Sequence, residues 1–105
     1  MAEMGRRHKS IVDSLASEGI RLGADALEVE YKDGYEEVWA ASGEVGHGIA
    51  RLRSASPAAA HLRRELYGII KKRRRLIVGD SEYELRARVY DSFGEDAFRV
   101  QLRRV

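Results

Sequence analysis

Cysteine is absent from the 105 residues, which excludes a disulfide framework, a thiol nucleophile and a thiolate metal site. Proline occurs once, at Pro57, and neither a linker, a low-complexity segment nor an internal repeat is visible. No apolar stretch approaches the roughly 20 residues that a membrane span needs. The charged start Met1-Ala2-Glu3-Met4-Gly5-Arg6-Arg7-His8 has no apolar segment behind it. Neither membrane insertion nor a secretory signal is expected, and the expected location is the cytoplasm. The length suits one domain, 1–105, with one core.

Recognisable catalytic spacings are missing too. There is no G-x-x-x-x-G-K-[ST] loop to cradle nucleotide phosphates. The glycines of "GEVGHG", residues 43–48, are in the wrong order for G-x-G-x-x-G and open no helix, so a bulged strand is the better reading. His8, His47 and His61 lack metal-ligand spacing. Ser10 and Ser56 stand where helix caps belong rather than in a nucleophile elbow. Glu36 and Glu37 are adjacent on a strand and point to opposite faces, so they read as a solvated hairpin rather than an acid and base pair. No catalytic residue, cofactor or metal ligand is expected, and the chain reads as a non-enzyme.

What the chain does have is charge, unevenly placed under a net of +2. Residues 24–46 carry Asp25, Glu28, Glu30, Asp33, Glu36, Glu37 and Glu44 against Lys32 alone. Residues 61–75 carry Arg63, Arg64, Lys71, Lys72, Arg73, Arg74 and Arg75 against Glu65. Such a split can neutralise itself within the fold or join a chain head to tail with its copy.

Periodicity supplies the elements. Ser10 begins a capping box, and Val12, Leu15, Ala16, Gly19 and Ile20 recur at helical spacing, predicting a helix over about 8–22 with Gly23 at its C-terminal stop. Leu27, Val29 and Tyr31 alternate with acids as a strand. Asp33-Gly34 is a hairpin signal, and Tyr35 to Ala41 returns. Val45 to Arg53 is a third strand, its glycines suggesting a bulge or a close backbone approach. Ser56-Pro57 opens a second helix that runs to about Lys72, with Lys71 and Lys72 facing the negative end of its dipole. Leu76 to Val78, Tyr83 to Val89 and Ala97 to Val105 complete three more strands. The order α-βββ-α-βββ predicts an α+β two-layer fold: a mostly antiparallel sheet with both helices on one face and Glu28, Glu30, Arg86, Arg88, Arg99 and Arg103 on the other.

Two stretches carry a family likeness. "YELRARVYDSFGEDAFRV" resembles the end of the N-terminal domain of type II secretion and type IV pilus assembly ATPases, with Arg86 at the family's first arginine and Gly94-Glu95 at its G-E. "GADALEVEYKDGYEEVWAASGEV" is similar to the family's G-A-S-D-[IL]-H-[IL]-E segment through Gly23, Ala24, Leu27, Val29 and Glu30, and Gly43 matches a later glycine. Trp39 and Ala41 stand where the family has arginines. The resemblance implies a PAS-like, non-P-loop module that packs on a neighbouring subunit and reaches nucleotide in trans. By that reading Arg74, Arg75 and Arg86 are the candidate contacts, since planar guanidinium groups suit bidentate recognition. A protein partner or self-association is expected. The alternative is a small nucleic-acid-binding protein that uses the basic edge 71–75, with Tyr31, Tyr35, Trp39, Tyr83 and Tyr90 as stacking rings; acids nearby and the near-neutral whole make nucleic acid the lesser expectation.

Overall fold

The computed structural model describes residues 10–105. The expected helix start at 8 and His8 lie outside the described residues. Helix α1 (Ile11–Arg21) begins where the Asp13 N–H donates to Ser10 Oγ at 2.9 Å. It ends in a Schellman closure: the Gly23 N–H donates to Ile20 O (3.0 Å) and the Ala24 N–H to Gly19 O (2.9 Å). Gly23 makes this possible by adopting φ +84°, a left-handed conformation that a Cβ would penalise.

Six strands follow in two runs of three, separated by helix α2 (Pro57–Lys71): β1 (Ala26–Lys32), β2 (Tyr35–Ser42), β3 (Val45–Arg53), then β4 (Arg74–Val78), β5 (Ser81–Ser92) and β6 (Glu95–Arg104). They form one antiparallel sheet in the order β3-β2-β1-β6-β5-β4. The sequence order α-βββ-α-βββ and the α+β class are as expected. The last strand β6 lies beside the first, with Val29 opposite Phe98 and Leu27 opposite Val100. In the β1–β2 and β5–β6 turns both central residues, Asp33-Gly34 and Phe93-Gly94, have positive φ, the type I′ arrangement whose twist matches the strands it joins.

Both helices cover the same face. Val12, Leu15, Ala16 and Gly19 of α1 and Ala59, Leu62, Leu66 and Ile69 of α2 are buried against Leu27, Val29, Val38, Leu85, Phe98, Val100 and Leu102. Full burial of each large member contributes roughly 1.5–3 kcal/mol. The open face is polar, with Trp39 lying across a strip of strand β3 that has no side chains. A Cβ added at Gly46 or Gly48 would stand 3.7 Å from the indole, so anything larger than alanine would lift the ring. Beside it, Val38 pairs with Ala50 and Trp39 with Gly48, which leaves Ile49 as the extra residue of a bulge. Of the two alternatives expected of these glycines, the bulge is present, and what lies over Gly46 and Gly48 is the Trp39 ring rather than another backbone.

Candidate functional site

Strand alternation decides which arginines can act together. Arg74 pairs with Leu85, a buried residue, and therefore points to the helix side. Arg75 pairs with Glu84, which faces Arg103, and Arg86 pairs with Gln101; these point to the open face. The run of five cations thus separates into the end of α2 (Lys71, Lys72), the open face (Arg73, Arg75) and the covered face (Arg74). Arg75 and Arg86 share a surface, and Arg74 does not.

Arg74 has an internal role. Its Nη1 donates to Ser10 Oγ (2.9 Å), Asp13 Oδ1 (3.2 Å) and Glu65 Oε2 (3.3 Å), while Glu65 Oε1 accepts from the Val12 N–H at 3.0 Å. One guanidinium therefore ties the start of α1 to α2 and to the edge strand β4. Burial pushes the Glu65 carboxyl up, but hydrogen bonds from Ser10, Val12 and Arg74, with the charge of Arg74, hold it below its ordinary 4.5. Because the folded value is the lower one, the stabilisation is fully present above the unfolded value and is lost as pH falls through the folded value. A series of urea midpoints is expected to fall with acidification below about pH 5 more steeply in the wild type than in Arg74→Met, in which the Arg74 contribution is already gone.

The open face of β4–β6 presents Arg73, Arg75, Arg86, Arg88, Arg99 and Arg103 against Glu82 and Glu84. Arg73 (3.3 Å) and Arg86 (3.3 Å) share Glu84, and Arg75 reaches Glu82 at 2.7 Å. Burial raises Glu84, and the Arg86 hydrogen bond and the charges of Arg73 and Arg86 outweigh it, leaving that carboxyl low. Among the described residues, no carboxylate lies within ion-pair distance of Arg88 or Arg103. Arg88 instead stands over the Tyr90 ring, 5.4 Å from its centroid. Two shallow hollows mark this area. One, of about 320 Å³, is lined by Arg86, Ala87, Arg88, Arg99 and Gln101. The other, of about 360 Å³, lies between Arg86, Arg73, Arg75 and Arg103.

Acids occupy the middle of the face. The Tyr90 hydroxyl donates to Glu28 Oε1 (2.9 Å) and lies 3.3 Å from Glu30 Oε2, and Arg99 also bonds Glu28. Burial, the bond to Glu28 and the charges of both carboxylates push this phenol well above its ordinary value, so it stays a donor. Trp39, Tyr35 and Tyr90 share the open face, with Arg51 3.7 Å and Arg53 5.5 Å from the Tyr35 centroid. Tyr31 and Tyr83 lie on the other side of the pleat.

The residues matched to the family do not converge. Gly23, Ala24 and Gly43 lie at one end of the sheet, Glu30 lies on the open face, and Gly94 and Glu95 form the β5–β6 turn at the opposite end. At that second end lies the largest hollow described, about 730 Å³, between α2 and the hairpin tips. Arg63, Arg64 and Tyr67 form one wall and Gly94, Glu95 and Asp96 another, with Tyr31 beside them. Tyr67 donates to Asp96, and this bond, with burial, raises the phenol.

The reading of Glu36 as solvated needs correction. Glu36 is 4 % exposed, on the covered face of β2, and its Oε2 accepts from Ser54 Oγ (2.8 Å) and Arg63 Nη1 (2.9 Å). Its parity with Val38 and Ala40, both core residues, is the signal that could have placed it. Among the described residues, no group of three side chains converges to hold a metal ion, and no helix is long and apolar enough to cross a membrane. No protein-family model matches the chain, and no curated protein matches it in sequence.

Proposed function

We propose that this chain is a non-catalytic interaction module that docks the arginine half of its open sheet face on an acidic surface of a partner subunit. The observation that carries this reading is the exposed group Arg73, just before β4, and Arg75, Arg86, Arg88 and Arg103 on antiparallel strands, with Glu82 and Glu84 the acids that β4–β6 place among them in the described residues. Planar guanidinium groups on a sheet suit bidentate contact with carboxylates, and among the described residues no carboxylate is within ion-pair distance of Arg88 or Arg103. The resemblance to the N-terminal module of secretion and pilus motor ATPases supports a subunit-packing role, with nucleotide of the neighbour as a further contact. Arg75 and Arg86 remain the contact residues of this reading, and Arg74 supports the edge strand from behind.

A second reading, a platform for single-stranded nucleic acid, is favoured by Trp39, Tyr35 and Tyr90 on the same face. Glu37 stands between Tyr35 and Trp39 on β2, Glu28 and Glu30 on β1 separate those two rings from the arginines, and both β1 acids also hold the Tyr90 hydroxyl, so the platform would repel phosphate. Fluorescence anisotropy of the chain with an acid-rich peptide, a short single-stranded DNA and ATP, at low and high salt, separates the readings. The peptide is expected to bind in a salt-sensitive way and to lose about tenfold or more in affinity with Arg86→Glu and Arg88→Glu combined. Binding of DNA alone, with affinity falling steeply with salt, would replace the first reading by the second.

A further inference from the structure

Phe93 is 103 % exposed, more than any other large apolar side chain described. It holds the first central position of the type I′ turn between β5 and β6 at φ +53°, a region that asparagine, aspartate and glycine enter readily and a bulky residue does not. The turn conformation suits the hairpin, but a phenylalanine is a costly residue to hold it, and its exposed ring buries nothing among the described residues. The same hairpin builds one wall of the end hollow through Gly94, Glu95 and Asp96. A projecting ring and an open hollow of about 730 Å³, with Tyr31, Ala60 and Tyr67 among a mostly polar lining, therefore sit side by side.

We propose that two copies of the chain associate about a two-fold axis at this end, each inserting Phe93 into the hollow of the other. Adjacent knob and hollow are what a self-complementary surface requires. One rotation makes both insertions at once, and the contact closes at two copies instead of continuing as a fibre. Tyr31 and Tyr67, about 40 % exposed, offer ring contacts to the incoming phenyl, and the guanidinium of Arg64 offers a cation for its face. The rim is also self-complementary in charge: Arg64 and Glu95 lie on opposite walls, so the two-fold brings the cation of one copy to the acid of the other. The contact leaves the arginine face of β4–β6 free, and it stands whether or not that face binds an acidic partner.

Light scattering of the whole chain across a concentration series is expected to show a dimer that persists at high salt. Phe93→Asn, which suits a left-handed turn position and keeps the hairpin, is expected to raise the dimer Kd on the order of thirtyfold while melting at an equal or higher temperature at concentrations where both chains are monomeric. Ala60→Arg, which fills the hollow from α2, is expected to do the same while leaving its own Phe93 intact. Mixing the two variants then restores one insertion per pair, so a heterodimer should form more tightly than either homodimer. Arg86→Glu with Arg88→Glu should leave the dimer unchanged. A wild type that stays monomeric at all concentrations, or a Phe93→Asn chain that dimerises as tightly as wild type, would overturn the proposal.

Discussion

Replacing Arg63 with alanine is expected to lower stability by roughly 3 kcal/mol, read as a shift in the urea midpoint at constant slope. Glu36 lies under α2 at 4 % exposure, with its hydrogen bonds from Arg63 and Ser54 both on Oε2. Arg63 Nη2 also reaches the Ser54 carbonyl at 3.3 Å, which fixes the fork against the β3–α2 connection. Without Arg63, the carboxylate keeps one hydroxyl and the water that enters from the end hollow, which both residues line. Arg63 itself is about one-third exposed, which sets the effect at the lower end of what breaking a buried pair costs. Converting both partners, Glu36→Met with Arg63→Leu, is expected to recover most of the loss, because an apolar pair of similar volume needs no compensating charge. A loss below about 1 kcal/mol for Arg63→Ala would show the pair behaving as a surface ion pair and would refute the burial argument.

The structural reasons for what could be read in advance are local. Ser10, Gly23, Asp33-Gly34 and Ser56-Pro57 each act on their immediate neighbours, so helix ends and the first hairpin were legible, as was the switch of hydrophobic period that separates strands from helices. The position of β6 beside β1 was not, because it depends on Leu27 and Val29 meeting Val100 and Phe98 across most of the chain. The same limit applies to charge. Arg74 shares parity with Leu76 and Val78, and Glu36 with Val38, so alternation alone points both inward. Whether an inward charge is tolerated depends on a partner supplied elsewhere, 27 residues away for Glu36 and 61 residues away for the Arg74 to Asp13 pair. A run of cations therefore reads as one patch in sequence and becomes three groups, at the end of α2, on the open face and on the covered face, once the fold separates them. Arg75 and Arg86 meet on the open face because of the β4–β5–β6 register, which no single stretch encodes.

Phe98→Ala is expected to cost about 3–5 kcal/mol, while Trp39→Ala is expected to cost only roughly 1–2 kcal/mol despite deleting the larger ring. Phe98 is fully buried at the centre of the sheet, between β1 and β5, and Tyr67 of α2 packs edge-on against it at 5.1 Å between centroids and 84° between planes. Its removal opens a cavity that the helices cannot fill without shifting. Trp39 is 39 % exposed, and its buried side rests on the glycine strip of β3, which has no side chains to leave unsupported. The comparison tests the division of labour between the faces, since the covered face stabilises the fold and the open face is left for contact. Equal losses in thermal and urea unfolding would mean that the open face is itself a packed layer. A small loss at Trp39 combined with weakened peptide binding would extend the docking surface from the arginines across the sheet to β2 and β3. A small loss with unchanged binding would confine that surface to β4–β6.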